Sequence, residues 1–150
     1  MKQIKHILIP LDKSVLSEKA LETAFTIAKG VNAEVTLIKV LIPLSEILKV
    51  SDNNAEFIEE QSEIREKRNI EYLTSIQEQY KDTSVKINIV IETGEPAEKI
   101  IEYANNNSVD IIVMTTHGRT GIQKWVYGSV SGKILNGARH PVLLVRSFEK

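Results

Sequence analysis

Short apolar runs alternate with segments of helical periodicity along the whole chain. The apolar runs are almost continuous in Val, Ile and Leu, which is typical of strands covered on both faces of a parallel sheet. We predict strands at His6–Leu11, Val35–Leu41, Val85–Ile91, Asp110–Met114 and Pro141–Arg146. Pro141 opens its strand, where the missing N–H costs least.

Between the strands, apolar residues recur at spacings of three and four, which predicts helices. Ser17 is the expected N-cap of the first helix, and Gly30 is expected to supply a left-handed residue at its end. A long charged helix follows from about residue 56 to 80, another opens at Gly94–Glu95–Pro96, and the last runs from Ser129 to about Ala138. The residues expected to face the core are Ala20, Leu21, Ala24, Ile27 and Ala28, then Ile70, Leu73, Ile76 and Tyr80, then Ala97, Ile100, Ile101 and Ala104.

This alternation predicts one α/β domain over residues 1–150, with a parallel sheet and helices on both faces. The strand order 3-2-1-4-5 and the order 2-1-3-4-5 both fit. Ligands of such sheets bind beyond the carboxyl ends of the strands, where the winding reverses. In the order 3-2-1-4-5 that point lies between strands one and four, so Asp12 and the loop after the fourth strand would face one crevice.

Composition narrows the class of protein. Hydrophobic residues make up 42% and charged residues 26%, as in soluble globular domains. A formal net charge of -1 gives no overall field for nucleic acid or an acidic membrane, so we expect neither as a partner, local basic patches aside. There is no cysteine for a disulfide or a thiol nucleophile. The start lacks a signal-peptide core and no apolar run is long enough to span a membrane, so we expect a cytoplasmic protein.

The segment MTTHGRTGIQKWVYGSVSGKI after the fourth strand concentrates small and polar residues. Gly128 and Ser129 open the last helix, whose first N–H groups are unpaired and lie at the positive end of the helix dipole, as in phosphate sites. The alternative is that the glycines only shape the loop and Ser129 only caps the helix. Several glycines in a basic loop at a switch point favour phosphate binding. The residues concerned are Gly118, Gly121 and Gly128 with His117, Arg119 and Lys124.

Two better-known phosphate motifs do not apply to this loop. The segment from Gly128 to Ile134 has three residues between its glycines where a P-loop has four, and Ile134 where the metal-binding Ser or Thr belongs. Lys133 is therefore interpreted as an exposed helix cation. The dinucleotide motif G-x-G-x-x-G is also absent.

Asp12 follows the first strand and has two interpretations. It can accept a hydrogen bond from a ribose hydroxyl or a base amino group, or help to hold a phosphate-bound Mg²⁺. It can equally be a turn residue beside Lys13 and Ser14 at the entry of the first helix.

The histidines and the loop aromatics favour structural roles. His6 lies in a strand and His140 in a turn before a strand, and no spacing suggests a metal site. His117 has no carboxylate or nucleophile near it in sequence, so loop shaping or phosphate contact is favoured over base catalysis. Trp125 and Tyr127 are expected to anchor the loop on the core or on a partner subunit.

Three segments together resemble the universal stress protein family: HILIPLDKS, GEPAEKIIEYA and TTHGRTGIQKWVYGSVSGKILNGARHPVLLVR. The resemblance covers essentially the whole chain and keeps the order of its elements. It implies a Rossmann-like fold, similar to adenine nucleotide α-hydrolases, with strand order 3-2-1-4-5. It also implies a role in stress response, homodimers formed through the last strands and, in some members, ATP binding.

ATP-binding members carry a Gly, two residues, a second Gly, nine residues, then Gly-Ser or Gly-Thr. On this chain the second glycine is Gly118 and the final pair is Gly128–Ser129, but the first position is Thr115. A β-branched side chain leaves less room there for the ligand than glycine would. Because threonine also brings a hydroxyl group, loss of binding does not follow from this difference. Asp12 matches the residue that meets the nucleoside, and Val40 the residue whose backbone meets adenine. The implied nucleotide-binding residues are Pro10, Leu11, Asp12, Ser14, Val40, Thr115, His117, Gly118, Arg119, Gly121, Gly128, Ser129, Val130 and Ser131.

Three functions fit these observations. The chain is a regulatory protein that binds ATP, or AMP or ADP, with or without Mg²⁺; a slow ATP hydrolase; or a stress-related module that binds a protein partner and no nucleotide. The loop motif favours nucleotide binding, and the lack of a recognisable nucleophile–base pair favours binding over catalysis. Because Pro141–Arg146 is an apolar edge strand, we also expect a homodimer through it.

Overall fold

A computed structural model describes residues 2–49, 54–117 and 127–146. Its five strands form one sheet in the order β3-β2-β1-β4-β5, with every neighbouring pair parallel. The strands are β1 (His6–Pro10), β2 (Glu34–Leu41), β3 (Ile87–Thr93), β4 (Ile111–Thr115) and β5 (Val142–Val145). The helices are α1 (Val15–Val31), α2 (Leu44–Leu48), α3 (Ala55–Gln79), α4 (Pro96–Asn106) and α5 (Ser129–Gly137), with a 3₁₀ turn at Lys81–Thr83. The α/β class and the order 3-2-1-4-5 are confirmed.

Helices cover both faces of the sheet, which explains why the strands are almost continuously apolar. Ile7 and Ile9 of β1 pack in the cluster that includes residues of α1 and α3, whereas Leu8 packs in the cluster that includes residues of α4 and α5. All three side chains are fully buried. Alternate residues point to opposite faces of a strand, so a strand in this position needs an apolar residue at every place.

Both ends of α1 differ from the prediction. Ser14, and not Ser17, is the N-cap, because the Ser17 N–H donates to Ser14 Oγ at 3.0 Å. Ser17 lies buried in the first turn and its hydroxyl donates back to the Ser14 carbonyl. Gly30 is helical, and the left-handed residue is Asn32 at φ 57°. Asn is one of the few side chains that adopt this conformation readily.

The buried stripe of α3 also differs from the prediction. Leu73 and Ile76 are buried as expected, but Ile70 is 40% exposed and Asn69 is buried instead. Tyr80 follows the helix and stacks on Phe25 with 4.0 Å between ring centroids. The core therefore uses only the C-terminal half of this helix.

Three further boundaries concern the middle of the chain. The five-residue helix α2 was not predicted, because a single turn shows no periodicity. Strand β3 begins at Ile87, two residues after the predicted start. Pro96 stands at the start of α4 as predicted, with Ala97, Ile100 and Ala104 buried and Ile101 only partly so. Within the described ranges, none of the helices combines the length and apolar character needed to cross a membrane.

Candidate functional site

A cavity of about 380 Å³ opens at the carboxyl ends of β1, β2 and β4. It lies at the point where the winding of the sheet reverses, which is where parallel α/β sheets bind ligands. Its volume is within the range of small-molecule sites. The lining residues from these strands and the segments after them are Pro10, Leu11, Asp12, Ile38, Lys39, Val40, Ile42, Met114, Thr115 and Thr116, and those from helices and the N-cap of α5 are Ser17, Ile47, Arg65, Pro96, Ile100, Gly128, Ser129, Val130 and Ser131.

Most of the predicted site residues meet in this cavity. Ser14 and His117 do not line it. Gly118, Arg119 and Gly121 lie outside the described residues, as do Lys124 and Trp125. The predicted residues that the structure brings together are Pro10, Leu11, Asp12, Val40, Thr115, Gly128, Ser129, Val130 and Ser131.

The start of α5 is tied to the end of β4 through one carbonyl oxygen. Thr116 O accepts a hydrogen bond from the Gly128 N–H at 2.9 Å and another from the Ser131 hydroxyl at 2.7 Å. A Cβ on Gly128 would lie 3.2 Å from that oxygen. Gly128 has φ -59°, which any residue adopts, so glycine is needed here for close approach and not for an unusual backbone conformation.

The backbone N–H groups that α5 offers to a ligand differ from the predicted ones by one residue. Gly128 was expected to offer its own N–H to a phosphate, but that group already bonds Thr116 O. The helical ladder begins with the Gly132 N–H, which donates to Gly128 O. The backbone N–H groups of Ser129, Val130 and Ser131 therefore precede the ladder and find no acceptor among the described residues. They form the positive end of α5 at the cavity wall.

Thr115 occupies the position where the ATP-binding motif has glycine. Its side chain is buried, and its hydroxyl donates to His117 O at 2.8 Å. His117 is buried too, with Nδ1 3.3 Å from Thr116 Oγ1. The Thr115 hydroxyl thus stabilises the turn after β4, and its methyl group adds bulk that a glycine would not have.

Asp12 is held by the turn that leads into α1. Its Oδ1 accepts hydrogen bonds from the Ser14 N–H at 3.0 Å and from the Ser14 hydroxyl. Lys13 between them is left-handed at φ 70°, and its ammonium lies 5.8 Å from the centroid of the Tyr72 ring. The turn role predicted as one interpretation of Asp12 is confirmed, and the carboxylate also lines the cavity.

Tyr72 of α3 packs beside the turn that leads into α1. Its hydroxyl donates to Glu18 Oε1 at 3.1 Å. Burial, reinforced by the Glu18 carboxylate, raises the pKa of Tyr72 above its ordinary value, so the phenol stays protonated and keeps this bond. The ring is thereby fixed beneath the Lys13 ammonium.

Ten of the lining residues were not among the predicted site residues, and for three of them no sequence pattern indicated a place at the cavity. Ile42 and Ile47 come from the segment around α2, which has no periodic signal, and Arg65 is one of many charged residues of α3. The Arg65 guanidinium donates to Ile42 O, which fixes the chain after β2 against α3. Among the described lining residues Asp12 is the one carboxylate, against the cations Lys39 and Arg65. With the α5 N-terminus, this charge distribution favours an anionic ligand.

Lys133 lies outside this lining and pairs with Glu95 at 3.2 Å, which links α5 to α4. Partial burial raises the pKa of Glu95, but hydrogen bonds from the Glu98 N–H and from Lys133 outweigh it and lower the pKa below its ordinary value. Lys133 is an exposed helix cation, as predicted.

His6, His140 and Tyr127 do not line the cavity. His6 Nδ1 donates to Asn107 O at 3.1 Å, and Nε2 lies 2.7 Å from Thr36 Oγ1, so the ring bridges β1, β2 and the end of α4. His140 lies in the bend before β5. Tyr127 is 54% exposed and so does not anchor the loop on the core. The described residues include no group of three or more His, Asp or Glu that could hold a metal ion.

Comparison with known proteins gives a family match over nearly the whole chain. The family model described as the universal stress protein family matches residues 3–146. A universal stress protein of Methanocaldococcus jannaschii is 34% identical over 146 residues, which are 97% of this chain and 84% of that protein. The solved structure of the universal stress protein UspA from Lactobacillus plantarum matches with a TM-score of 0.85 at 20% identity, over 97% of this chain and 100% of that one.

Two structural neighbours were solved with adenine nucleotides. A universal stress protein in complex with cAMP matches with a TM-score of 0.68 at 18% identity, over 98% of this chain and 100% of that one. The universal stress protein from Archaeoglobus fulgidus in complex with dAMP matches with a TM-score of 0.64 at 18% identity, over 96% and 98%. At these identities the likeness shows a shared fold.

Proposed function

Since this chain belongs to the universal stress protein family, we propose that it binds an adenine nucleotide as a regulatory ligand in a stress response. The observation that carries the proposal is the cavity at the switch point, with the backbone N–H groups of Ser129, Val130 and Ser131 in one wall and Val40 in another. Neighbours with the same fold hold cAMP and dAMP.

The proposed pose follows the chemistry of the walls. Adenine lies near Val40, where the wall is apolar, and the ribose lies near the Asp12 carboxylate, an acceptor for its hydroxyls. The phosphates point to the N-terminus of α5, where unpaired N–H groups and the helix dipole favour negative charge. From the matched family motif we also propose Gly118, Arg119 and Gly121 as nucleotide-binding residues; they lie outside the described residues.

ATP is the proposed ligand, with AMP and ADP as the shorter alternatives. Mg²⁺ would arrive on the phosphates, because this ion keeps most of its waters and is commonly held by one or two carboxylates together with the phosphates. Asp12 is the lining carboxylate that could take part.

We propose binding and not turnover. A general base must reach the proton that it removes, directly or through one water. His117 is buried beside Thr116 and outside the cavity lining, and Oδ1 of Asp12 is engaged by Ser14. This arrangement suits a protein whose ligand changes the surface offered to a partner.

We further propose a homodimer through β5. This strand is at one edge of the sheet, and its four residues are only partly buried within one chain. Pairing with β5 of a second copy would satisfy the edge under two-fold symmetry. Light scattering at high micromolar concentration is expected to give the mass of a dimer, and a monomer would contradict this proposal.

The nucleotide proposal can be tested by identifying any small molecule that copurifies with the protein. Mass spectrometry of material released from protein purified without added nucleotide is expected to show ATP, ADP or AMP near one equivalent. If the purified protein carries none, calorimetric titration with Mg·ATP is expected to show one site per chain. Absence of both results would leave the partner-binding module as the function, and steady release of ADP from added ATP would favour the hydrolase.

A further inference from the structure

Two large apolar side chains are exposed to solvent although they line the cavity. Ile42, just after β2, is 40% exposed, and Ile47 of α2 is 50% exposed. The other seven exposed large hydrophobic residues of the described ranges do not line the cavity. Ligand pockets are lined predominantly by apolar side chains, which the ligand covers when it binds. A ligand that fills this cavity would therefore take Ile42 and Ile47 out of water.

The short helix α2 contributes no side chain to the core. None of its five residues is buried. Its first turn is closed by hydrogen bonds from the Glu46 and Ile47 N–H groups to Pro43 O, at 3.0 and 3.3 Å. Both bonds lie within the segment, so they shape the turn but do not attach it to the sheet. The position of α2 at the cavity is therefore set by contacts with neighbouring elements.

Arg65 of α3 supplies such a contact. Its guanidinium donates to Ile42 O, the carbonyl that precedes Pro43, and its side chain also lines the cavity. Leu73 and Ile76, further along the same helix, are buried and fix α3 on the sheet. The Arg65 side chain thus ties the segment that carries Ile42 and Ile47 to a helix that the core holds in place.

The topology puts this segment at one end of the cavity and the start of α5 at the other. Strands β2 and β4 lie on either side of β1, so their carboxyl ends are about 10 Å apart. Asp12 follows β1 and lies between them. A nucleotide with its phosphates at α5 and its ribose at Asp12 would therefore extend its base toward β2. The faces of a base are flat and largely apolar, which suits contact with Ile42 and Ile47.

We propose that Ile42 and Ile47 bind the base and favour a purine over a pyrimidine, and that Arg65 is a positioning residue that holds them at the cavity. This inference rests on the proposed nucleotide function and names the residues that determine its base preference. A purine reaches further from the ribose than a pyrimidine by one fused ring. The larger base would therefore cover more of the two isoleucine side chains, and removal of apolar surface from water stabilises the complex.

Calorimetric titration with ATP, and displacement of ATP by CTP, test the contact. We expect wild type to prefer ATP. Ile47→Ser should weaken ATP about three- to tenfold, because about half of this side chain remains for the base to cover, and it should weaken CTP less. Leu48→Ser is the matched control, since Leu48 lies in the same helix and is 45% exposed but does not line the cavity. It should bind ATP as wild type, and the urea midpoints of both variants should match wild type.

A double-mutant cycle tests the role of Arg65. Arg65→Met keeps a long side chain but removes the donor to Ile42 O, so it should weaken ATP. If Arg65 acts through the isoleucines, combining Arg65→Met with Ile47→Ser should weaken ATP by less than the product of the two separate factors. A loss equal to that product would make the two residues independent and would overturn the positioning role.

The outcomes separate this inference from the proposed function. The inference alone fails if wild type binds ATP and CTP equally, if Ile47→Ser binds ATP as tightly as wild type, or if Leu48→Ser loses as much affinity. The inference and the proposed function fail together if the wild-type chain binds neither nucleotide.

Discussion

Gly128 lies where α5 comes close to the backbone after β4, and Gly128→Val tests how far the ligand site depends on that approach. The first carbon of the new side chain would lie 3.2 Å from Thr116 O and 3.5 Å from His117 Cα. Both neighbours are backbone atoms, so neither can rotate away as a flexible side chain would. Relief requires that α5 and the end of β4 move apart by a few tenths of an ångström.

The size of the effect follows from what that movement stretches. Thr116 O accepts hydrogen bonds from the Gly128 N–H at 2.9 Å and from the Ser131 hydroxyl at 2.7 Å. Each contributes about 0.5–1.5 kcal/mol, so weakening both is expected to lower the free energy of unfolding by up to about 3 kcal/mol. The same shift moves the free N–H groups of α5 and puts a side chain at the phosphate position. We expect ATP affinity to fall about 5- to 150-fold, which corresponds to about 1–3 kcal/mol.

Gly132→Ala is the matched control, since it adds a methyl group to the same helix where nothing lies within 4 Å. Alanine favours a helix by about 1 kcal/mol over glycine, so this variant should be more stable and bind as wild type. Urea unfolding and calorimetry with Mg·ATP measure both quantities. Unchanged affinity in Gly128→Val would place the nucleotide elsewhere, and unchanged stability would refute the contact argument itself.

Three further predictions concern other parts of the chain. Thr115→Gly should tighten ATP binding in calorimetry if the side chain restricts the phosphates, and it should lower stability because the hydrogen bond to the carbonyl two residues on is lost; weaker binding would refute the steric argument. His6→Leu should lower the free energy of unfolding by about 1–3 kcal/mol in urea unfolding, since it removes the ring from the Asn107 carbonyl and from the buried Thr36 hydroxyl, which keeps a longer contact of 3.4 Å with Asn88 Nδ2. Burial raises the pKa of Asp110, but hydrogen bonds from the Lys5 N–H and neighbouring groups lower it below 3.8 overall. Its ionised form therefore adds stability that is fully present above the ordinary pKa of Asp and is lost as the pH falls through the lowered one, so Asp110→Asn should flatten the loss of stability at acid pH in urea unfolding; an equal loss in both proteins would contradict this.

The sheet and its crevice were predictable because they depend on features that repeat. Ile7, Leu8 and Ile9 are all apolar because both faces of β1 are covered, and that pattern recurs in most of the strands. The ends of α1 were not predictable, because Ser14 and Ser17 are both good caps by type and only the path of the chain after Asp12 decides between them.

The candidate site divides in the same way. Residues at strand ends and at the start of α5 could be placed from the sequence, since parallel topology brings these ends together. Arg65 and Ile47 could not be placed, because nothing in the local sequence indicates that the side chains of α2 and α3 reach the cavity. The engagement of the Gly128 N–H by Thr116 is likewise a contact between distant segments, which only the folded chain decides.

The bond between Gly128 and Thr116 has one further consequence. It holds the end of β4 and the start of α5 together, so the two ends of the intervening stretch lie close to each other. Lengthening such a stretch costs little, since closure entropy grows only with the logarithm of length. We therefore expect that the number of residues between Thr116 and Gly128 can change while β4 and the start of α5 keep their positions.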